Sequence, residues 1–466
     1  MSDLPFEPDL VRSFSFESKH VEWGAFSVTV AFRYVLFGAG GSVMVSCQEF
    51  FEFPLPVEVV PDDRRAAFDR LLDHLGLVAG LSYYKLAAPD LVVVEAGEWS
   101  SHEIDVHRLI LANGLGEYSF VNDLEPNLCP TFEYRSIAVE RPPIDLALGA
   151  TSFVSGPLVP VGGGKDSCVT IEALRANGLT PTLVTVNRYP VIQEVINVAG
   201  LPDIAVRRTL DPQLRWLNDN GARNGHVPAT AIVSLAVAAT AVLHGFGAVV
   251  MSNERSASEG NVVYRGVSIN HQWSKSAHAE TLLRGLIHGV TGSLDYFSLL
   301  RPLSELSIAQ RFASTCARYF GSFSSCNAAF RLDPARRVSR WCGQCPKCQF
   351  VYLALATVLS PPTLYEIWGS DVFESSPIEG FHALLGLTEW KPFECVGESL
   401  ECRVALSLLA ASASAWSTHL VVRSLWQSVE AAGVVPTETD RRAVFATLTS
   451  DAIPPGFRPL VNLTAT

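Results

Sequence analysis

The sequence predicts an α/β protein, with a central parallel sheet, an N-terminal mixed α+β module and a mostly helical C-terminal region. Three observations carry that reading. From about 151 to 350, short apolar runs alternate with helical segments, as strands and crossover helices do in a parallel sheet. Before that stretch, large apolar residues recur at every second position, the period of a half-buried strand. Beyond it, helical spacing is cut repeatedly by proline. With 48% hydrophobic and 18% charged residues over 466 positions, the chain has ample material for a core, and disorder is excluded.

Residues 1–150 make the first module. Phe26, Val28, Val30, Phe32 and Tyr34 alternate as a strand. Phe68, Leu71, Leu72 and Leu75 fall on one helical face, and Gly76 stands where a helix C-terminus favours glycine. No catalytic motif lies here. Residues 151–350 supply five candidate strands, at 158–161, 182–186, 204–207, 248–252 and 296–300. Residues 351–466 read as short helices divided by Pro361, Pro362, Pro377 and Pro392. Two charge-free stretches, 232–251 and 404–422, have the length of a membrane span. The first is Ala-rich and broken by His244, Gly245 and Gly247, so it predicts a buried helix, a turn and a strand. The second carries five Ser or Thr residues and a histidine, and predicts a buried helix.

Charge narrows the function classes. Lys and Arg total 35 against 47 Asp and Glu, a net charge of −12, which argues against a general nucleic-acid binder. The opening residues carry Asp3, Glu7 and Asp9 where a secretion signal needs a positive start and an apolar core, so a cytoplasmic protein is expected. Cys342, Cys345 and Cys348 sit together, and in that compartment such a cluster points to metal rather than disulfides.

The strongest motif runs from Val159 to Leu174, where a strand, three glycines and a helix follow in immediate succession. Gly162, Gly163 and Gly164 have no side chain to obstruct a ligand, so backbone N–H groups and the positive helix end converge on one anion. Lys165 adds a positive charge, Ser167 a hydroxyl, and Asp166 a carboxylate suited to Mg²⁺ or to orienting the loop. The spacing fits neither a Walker A loop nor a dinucleotide fingerprint. Asn187, Asn253 and Glu254 follow the second and fourth strands of this region, at the carboxyl edge where open sheets bind ligands.

This segment resembles the PP-loop, Ser-Gly-Gly-x-Asp-Ser, of the ATP pyrophosphatase superfamily, with Gly162 in place of the first Ser. That departure removes a hydroxyl and keeps the backbone amide. The resemblance implies an adenine nucleotide alpha hydrolase-like sheet that grips the pyrophosphate part of ATP. An acceptor oxygen would attack the α-phosphorus, and Asn187 would lie near adenine and ribose. The segment from Arg301 to Ser307 resembles the one after the superfamily's fifth strand.

Cys326, Cys342, Cys345 and Cys348 follow the pattern Cys-x15-Cys-x2-Cys-x2-Cys, which can close a tetrahedron around Zn²⁺. The cluster resembles the zinc site after the PP-loop domain in 7-cyano-7-deazaguanine synthase. An iron–sulfur cluster and unliganded thiols remain the alternatives. Between Ser252 and Glu280 lies a dense polar run including His271 and Lys275, and Cys395 lies in a Pro- and Gly-bounded loop placed either over the crevice or on the surface. If the chemistry needs a base, Glu254, His271 and Cys395 are the candidates, and Cys168 gains thiolate character if the helix start reaches it.

Together with the upstream module, the segments 252–261, 342–348 and 391–398 resemble the MurL family along nearly the whole chain. The resemblance implies epimerisation of the terminal L-glutamate of UDP-N-acetylmuramoyl-L-alanyl-L-glutamate through an acyl-adenylate, using ATP and Mg²⁺. Its functional partner would be the muramoyl ligase that adds L-glutamate in the same peptidoglycan pathway. Two other readings compete. One is a PP-loop tRNA-modifying enzyme, and the other a zinc-stabilised nucleotide sensor without turnover.

Overall fold

The computed structural model describes residues 5–138, 140–146, 156–331 and 333–462; the expected boundary at 150/151 lies outside them. The first strands are β1 (Ser13–Trp23), β2 (Ser27–Phe37) and β3 (Val43–Pro54), paired as an antiparallel meander. On β2, Val28, Val30, Phe32 and Tyr34 are fully buried, as the alternation predicts. Phe26 precedes the strand and is 87% exposed, because the chain is still turning there. Two short strands, β4 (Leu91–Val94) and β5 (Thr131–Tyr134), extend this side in parallel from β1.

The central strands are β6 (Leu158–Pro160), β7 (Thr182–Val186), β8 (Asp203–Thr209), β9 (Ala248–Met251) and, beyond a small hairpin of β10 (Val262–Tyr264) and β11 (Val267–Ile269), β12 (Asp295–Ser298). All five expected strands are present and pair in parallel in the order β12-β9-β6-β7-β8. From β6 the chain steps outward to β7 and β8, then returns to β9 on the other side. Ligands collect at such a switch of direction. β8 also pairs antiparallel with β3, so one ten-stranded sheet runs through both regions. At that seam the Arg208 guanidinium donates to the fully buried Glu49 at 2.5 Å.

Alternate residues on these strands feed two cores. Leu158, Val184 and Val249 join the helices Asp62–Ala79 and Ala229–His244 on one face. Val159, Leu183 and Val250 join Lys165–Ala176, Glu305–Thr315 and the C-terminal helices on the other. Gly76 does not end its helix, which continues to Ala79. The rings of Phe16 and Phe32 pack so closely that a Cβ at Gly76 would meet them at 2.6 and 2.8 Å. The 232–251 stretch is a buried helix, a left-handed turn at Gly245 and β9, as expected. The 404–422 stretch is not one helix: Ser399–Ala410 ends, a 3₁₀ turn follows at Ala415–Thr418, and Leu420–Ala431 begins anew, because Ser414 caps the turn through its side chain. Among the described residues no helix is long and apolar enough to cross a membrane.

Candidate active site

The glycine loop leaves β6 at the switch between β6 and β9. Gly163 adopts φ +82°, the left-handed region that side chains resist, and its carbonyl accepts the Ser324 amide at 2.8 Å. Gly164 is the N-cap of Lys165–Ala176 and has no side chain to cap the first helical amides, an arrangement able to take an anion. Ser167 donates its hydroxyl back to the Gly164 carbonyl at 3.1 Å, bracing the turn.

Lys165 is buried, and its ammonium donates to Asp166 at 2.5 Å and to Glu305. Burial opposes the charge, but the two carboxylates outweigh it and hold Lys165 protonated. Glu305 stands at the first position of its helix because Ser304 caps it by accepting the Ser307 amide. Burial and the neighbouring Asp166 and Glu254 push the Glu305 carboxyl up, against the pull of Lys165. Asp166, Glu254 and Glu305 each offer an oxygen within 4.8 Å of the others, beside the loop. Three carboxylates so close, two of them buried, are a donor set for a hard divalent cation.

A second group lies across Lys275. The 391–398 loop folds onto the polar segment: the Lys391 amide donates to the Asn261 carbonyl at 3.0 Å, Asn261 donates to the Pro392 carbonyl at 2.6 Å, and Gln272 donates to the Val396 carbonyl at 3.0 Å. These ties bring Cys395 against His271 and Lys275. Burial works against ionisation of Cys395, yet Lys275, Lys347 and the hydrogen-bonded His271 pull its thiol down to about 5. His271 is likewise opposed by burial, and its hydrogen bonds to Cys395 and Glu117 lift it to about 9. The pair is therefore a thiolate and an imidazolium at neutral pH. Lys275 links the two groups electrostatically, since Cys395, Glu254 and Asp166 all stabilise its charge against burial. His226 packs against His271 with ring centroids 4.3 Å apart and the rings tilted by 44°, and burial with the His271 charge drives it down to about 3.

The four cysteines converge. Sulfur separations are 3.9 Å for Cys326 and Cys345, 3.7 Å for Cys342 and Cys348, and 3.6 Å for Cys345 and Cys348, with all four within 4.8 Å. A tetrahedron with Zn–S bonds of about 2.3 Å has edges of about 3.8 Å. This cluster also braces the loop: Ser324, which holds Gly163, lies two residues before Cys326 and accepts that cysteine's amide at 3.1 Å. Lys347, between Cys345 and Cys348 in sequence, is one of the charges acting on Cys395.

Several expected residues occupy other surroundings. Asn187 closes β7 at φ +62°, and its side-chain oxygen accepts the Arg208 amide at 2.8 Å, tying β7 to β8. Asn253 is buried after β9. Glu254 sits with the loop carboxylates rather than beside His271. Cys168 is fully buried and its thiol is pushed up by burial, against the expectation of thiolate character; its sulfur faces the Gly164 carbonyl at 3.5 Å. Sequence reasoning missed Glu305, Lys275 as a site residue, His226 and Glu117. Glu305 had a local signal in the Ser304–Ser307 cap, whereas Glu117 comes from the N-terminal module and had none.

The family model for the MurL N-terminal domain matches residues 5–299 and that for the MurL C-terminal domain residues 322–440. A protein of Salinispora tropica named UDP-N-acetyl-alpha-D-muramoyl-L-alanyl-L-glutamate epimerase is 45% identical over 400 residues, 85% of either chain. Proteins of the same name from Micromonospora sp. and Xanthomonas oryzae pv. oryzae are 45% and 39% identical, over 91% of both chains and over 78% and 79% respectively. The chain belongs to the MurL family.

Proposed function

We propose that the protein is an ATP-dependent epimerase acting on the terminal L-glutamate of UDP-N-acetylmuramoyl-L-alanyl-L-glutamate in peptidoglycan precursor synthesis. The names of its relatives support the reaction and substrate. The observation that carries the mechanism is the docking of the 391–398 loop, which sets Cys395 against His271 and Lys275, with Lys275 in turn facing Glu254 and Asp166 of the glycine-loop group.

The order of events follows from charge. Removing the Cα proton beside a carboxylate would create a second negative charge next to the first, whereas an acyl-adenylate has lost that charge and delocalises the new one as an enolate. The glutamate α-carboxylate therefore attacks the α-phosphorus of ATP first, forming the acyl-adenylate and releasing pyrophosphate. The amides of Gly163 and Gly164, with Lys165, hold the departing phosphates. Mg²⁺, which Asp166, Glu254 and Glu305 are placed to hold, would offset triphosphate charge. The Cys395 thiolate then takes the Cα proton and becomes the neutral thiol, a proton derived from solvent adds to the opposite face of the enolate and inverts the centre, and the thiol returns its proton to solvent. Water attacks the acyl carbon, releasing the D-glutamyl product and AMP.

The cysteine cluster is proposed to hold one structural Zn²⁺. Sulfur separations of 3.6 to 3.9 Å in three pairs, with all four sulfurs within 4.8 Å, suit one ion at their centre, whereas an iron–sulfur cluster spreads its thiolates over several irons. The test of function is incubation with the nucleotide dipeptide, ATP and Mg²⁺ in D₂O. The reading expects D-glutamate carrying Cα deuterium, together with AMP and pyrophosphate. Inversion without AMP would overturn the adenylate step, and AMP without inversion would overturn the acceptor.

A further inference from the structure

We propose that an arginine-lined cleft beside the glycine loop is the subsite for the uridine diphosphate end of the substrate, an inference that rests on the epimerase reading above. The cleft encloses about 810 Å³ over the carboxyl ends of β7 and β8, a volume that suits a nucleotide. Five arginines line it, Arg188, Arg207, Arg208, Arg215 and Arg337, against two aspartates. Such a concentration of positive charge is conspicuous in a chain of net charge −12.

The arginines differ in what already holds them. Arg208 is engaged by buried Glu49, and Arg188 by Asp203. Arg215 stands 3.7 Å from Asp333 with 72% of its side chain exposed. Arg207 is exposed, and no ion pair forms at it among the described residues. Arg207 and Arg215 are thus the guanidinium groups ready to take phosphate oxygens, which they match in planar, two-pronged fashion. Of the two acids, Asp211 is occupied, accepting the backbone amides of Gln48 and Gln213 at 2.7 and 2.8 Å.

Two features suit the rest of a nucleotide. Tyr189 lines the cleft with the Arg337 guanidinium 4.9 Å from its ring centroid, forming a platform on which a base can stack. The Asn218 side-chain oxygen, also in the lining, is buried without a hydrogen-bond partner, an acceptor suited to the N3–H of uracil. The cleft and the loop share a rim: the helix Pro190–Ala199 begins directly after Tyr189, and its Ile192 lies 3.4 Å from where a Cβ on Gly163 would be. Asn187, which the loop resemblance set beside adenine, also lines this cleft, so that position goes to the uridine end of the substrate and the glycine loop is left to the ATP phosphates.

Calorimetric titration of the whole protein with UDP, in the absence of ATP, tests the assignment. Wild type is expected to bind UDP, and the double variant Arg207→Ala, Arg215→Ala to bind at least tenfold more weakly with the same melting temperature. In turnover the variant should raise KM for the nucleotide dipeptide about tenfold and leave kcat within threefold, and Lys at both positions should recover part of the loss. A larger change in KM for ATP than for the nucleotide dipeptide would assign the cleft to ATP and overturn the proposal. Failure of the wild type to bind UDP would overturn it too, while ATP-dependent Cα exchange in the intact substrate would still uphold the epimerase reading.

Discussion

Replacing the cations around Cys395 should restore an ordinary thiol, and alkylation kinetics measure this directly. With a thiol at about 5 instead of its usual 9, Cys395 is roughly 90% thiolate at pH 6, against roughly 0.1% for an unperturbed group, a gain of about 900-fold. Thiolates lose nucleophilicity as their pKa falls, with a Brønsted slope of about 0.45, so four units cost about 60-fold. The net expectation is that Cys395 reacts with iodoacetamide roughly fifteen times faster than an ordinary cysteine at pH 6, and more slowly than one above pH 9. Peptide mapping by mass spectrometry across pH 4 to 10 reads each cysteine separately, with solvent-exposed Cys129 followed in the same digest. The Cys395 midpoint should lie near 5 and move upward in Lys275→Met and in His271→Asn, since both cations favour the thiolate. Turnover should rise with pH through about 5 as Cys395 ionises and then level off toward neutrality. A wild-type alkylation midpoint near 9, unmoved by either substitution, would refute the reasoning.

Three further outcomes are expected. Gly162→Ser restores the hydroxyl of the resembled loop where a Cβ meets nothing within 4 Å, so KM for ATP should fall several-fold. Gly163→Ala forces a side chain into φ +82° at a cost of about 1–2 kcal/mol and sets a Cβ 3.4 Å from the Ser324 carbonyl, so KM for ATP should rise about tenfold. Elemental analysis should find one zinc per chain, and Cys345→Ser should lower both zinc content and melting temperature while weakening ATP, because the Ser324 amide that holds Gly163 lies beside the metal ligands. Iron with labile sulfide in the purified protein would contradict that assignment.

What the sequence made legible was local. The strand, three glycines and helix of the glycine loop are consecutive, so their geometry follows from spacing alone, and the central strands are short apolar runs whose ends need no distant information. Gly76 was misleading because its position was set by Phe16 and Phe32, some 60 and 44 residues away, whose rings need a flat patch of helix. The 404–422 stretch looked continuous because apolar content does not register where Ser414 turns the chain. In the site, the individual side chains of the polar segment were visible but their ranking was not. Cys395 rather than Glu254 is proposed as the base because the 391–398 loop docks on Asn261 and Gln272, and that docking joins segments more than a hundred residues apart. Glu117 and His226 reach His271 through the same long-range packing.

The central claim separates two steps by residue: the glycine loop makes the adenylate, and Cys395 moves the proton. Single-turnover reactions of Cys395→Ala and Lys165→Met with the nucleotide dipeptide, ATP and Mg²⁺ in D₂O test it, scored for pyrophosphate release and for Cα deuterium. Cys395→Ala should release pyrophosphate at a rate within about tenfold of wild type while deuterium incorporation falls at least a thousandfold, about 4 kcal/mol of barrier. Lys165→Met should lose both together. Deuterium incorporation at near wild-type rate in Cys395→Ala would contradict the account.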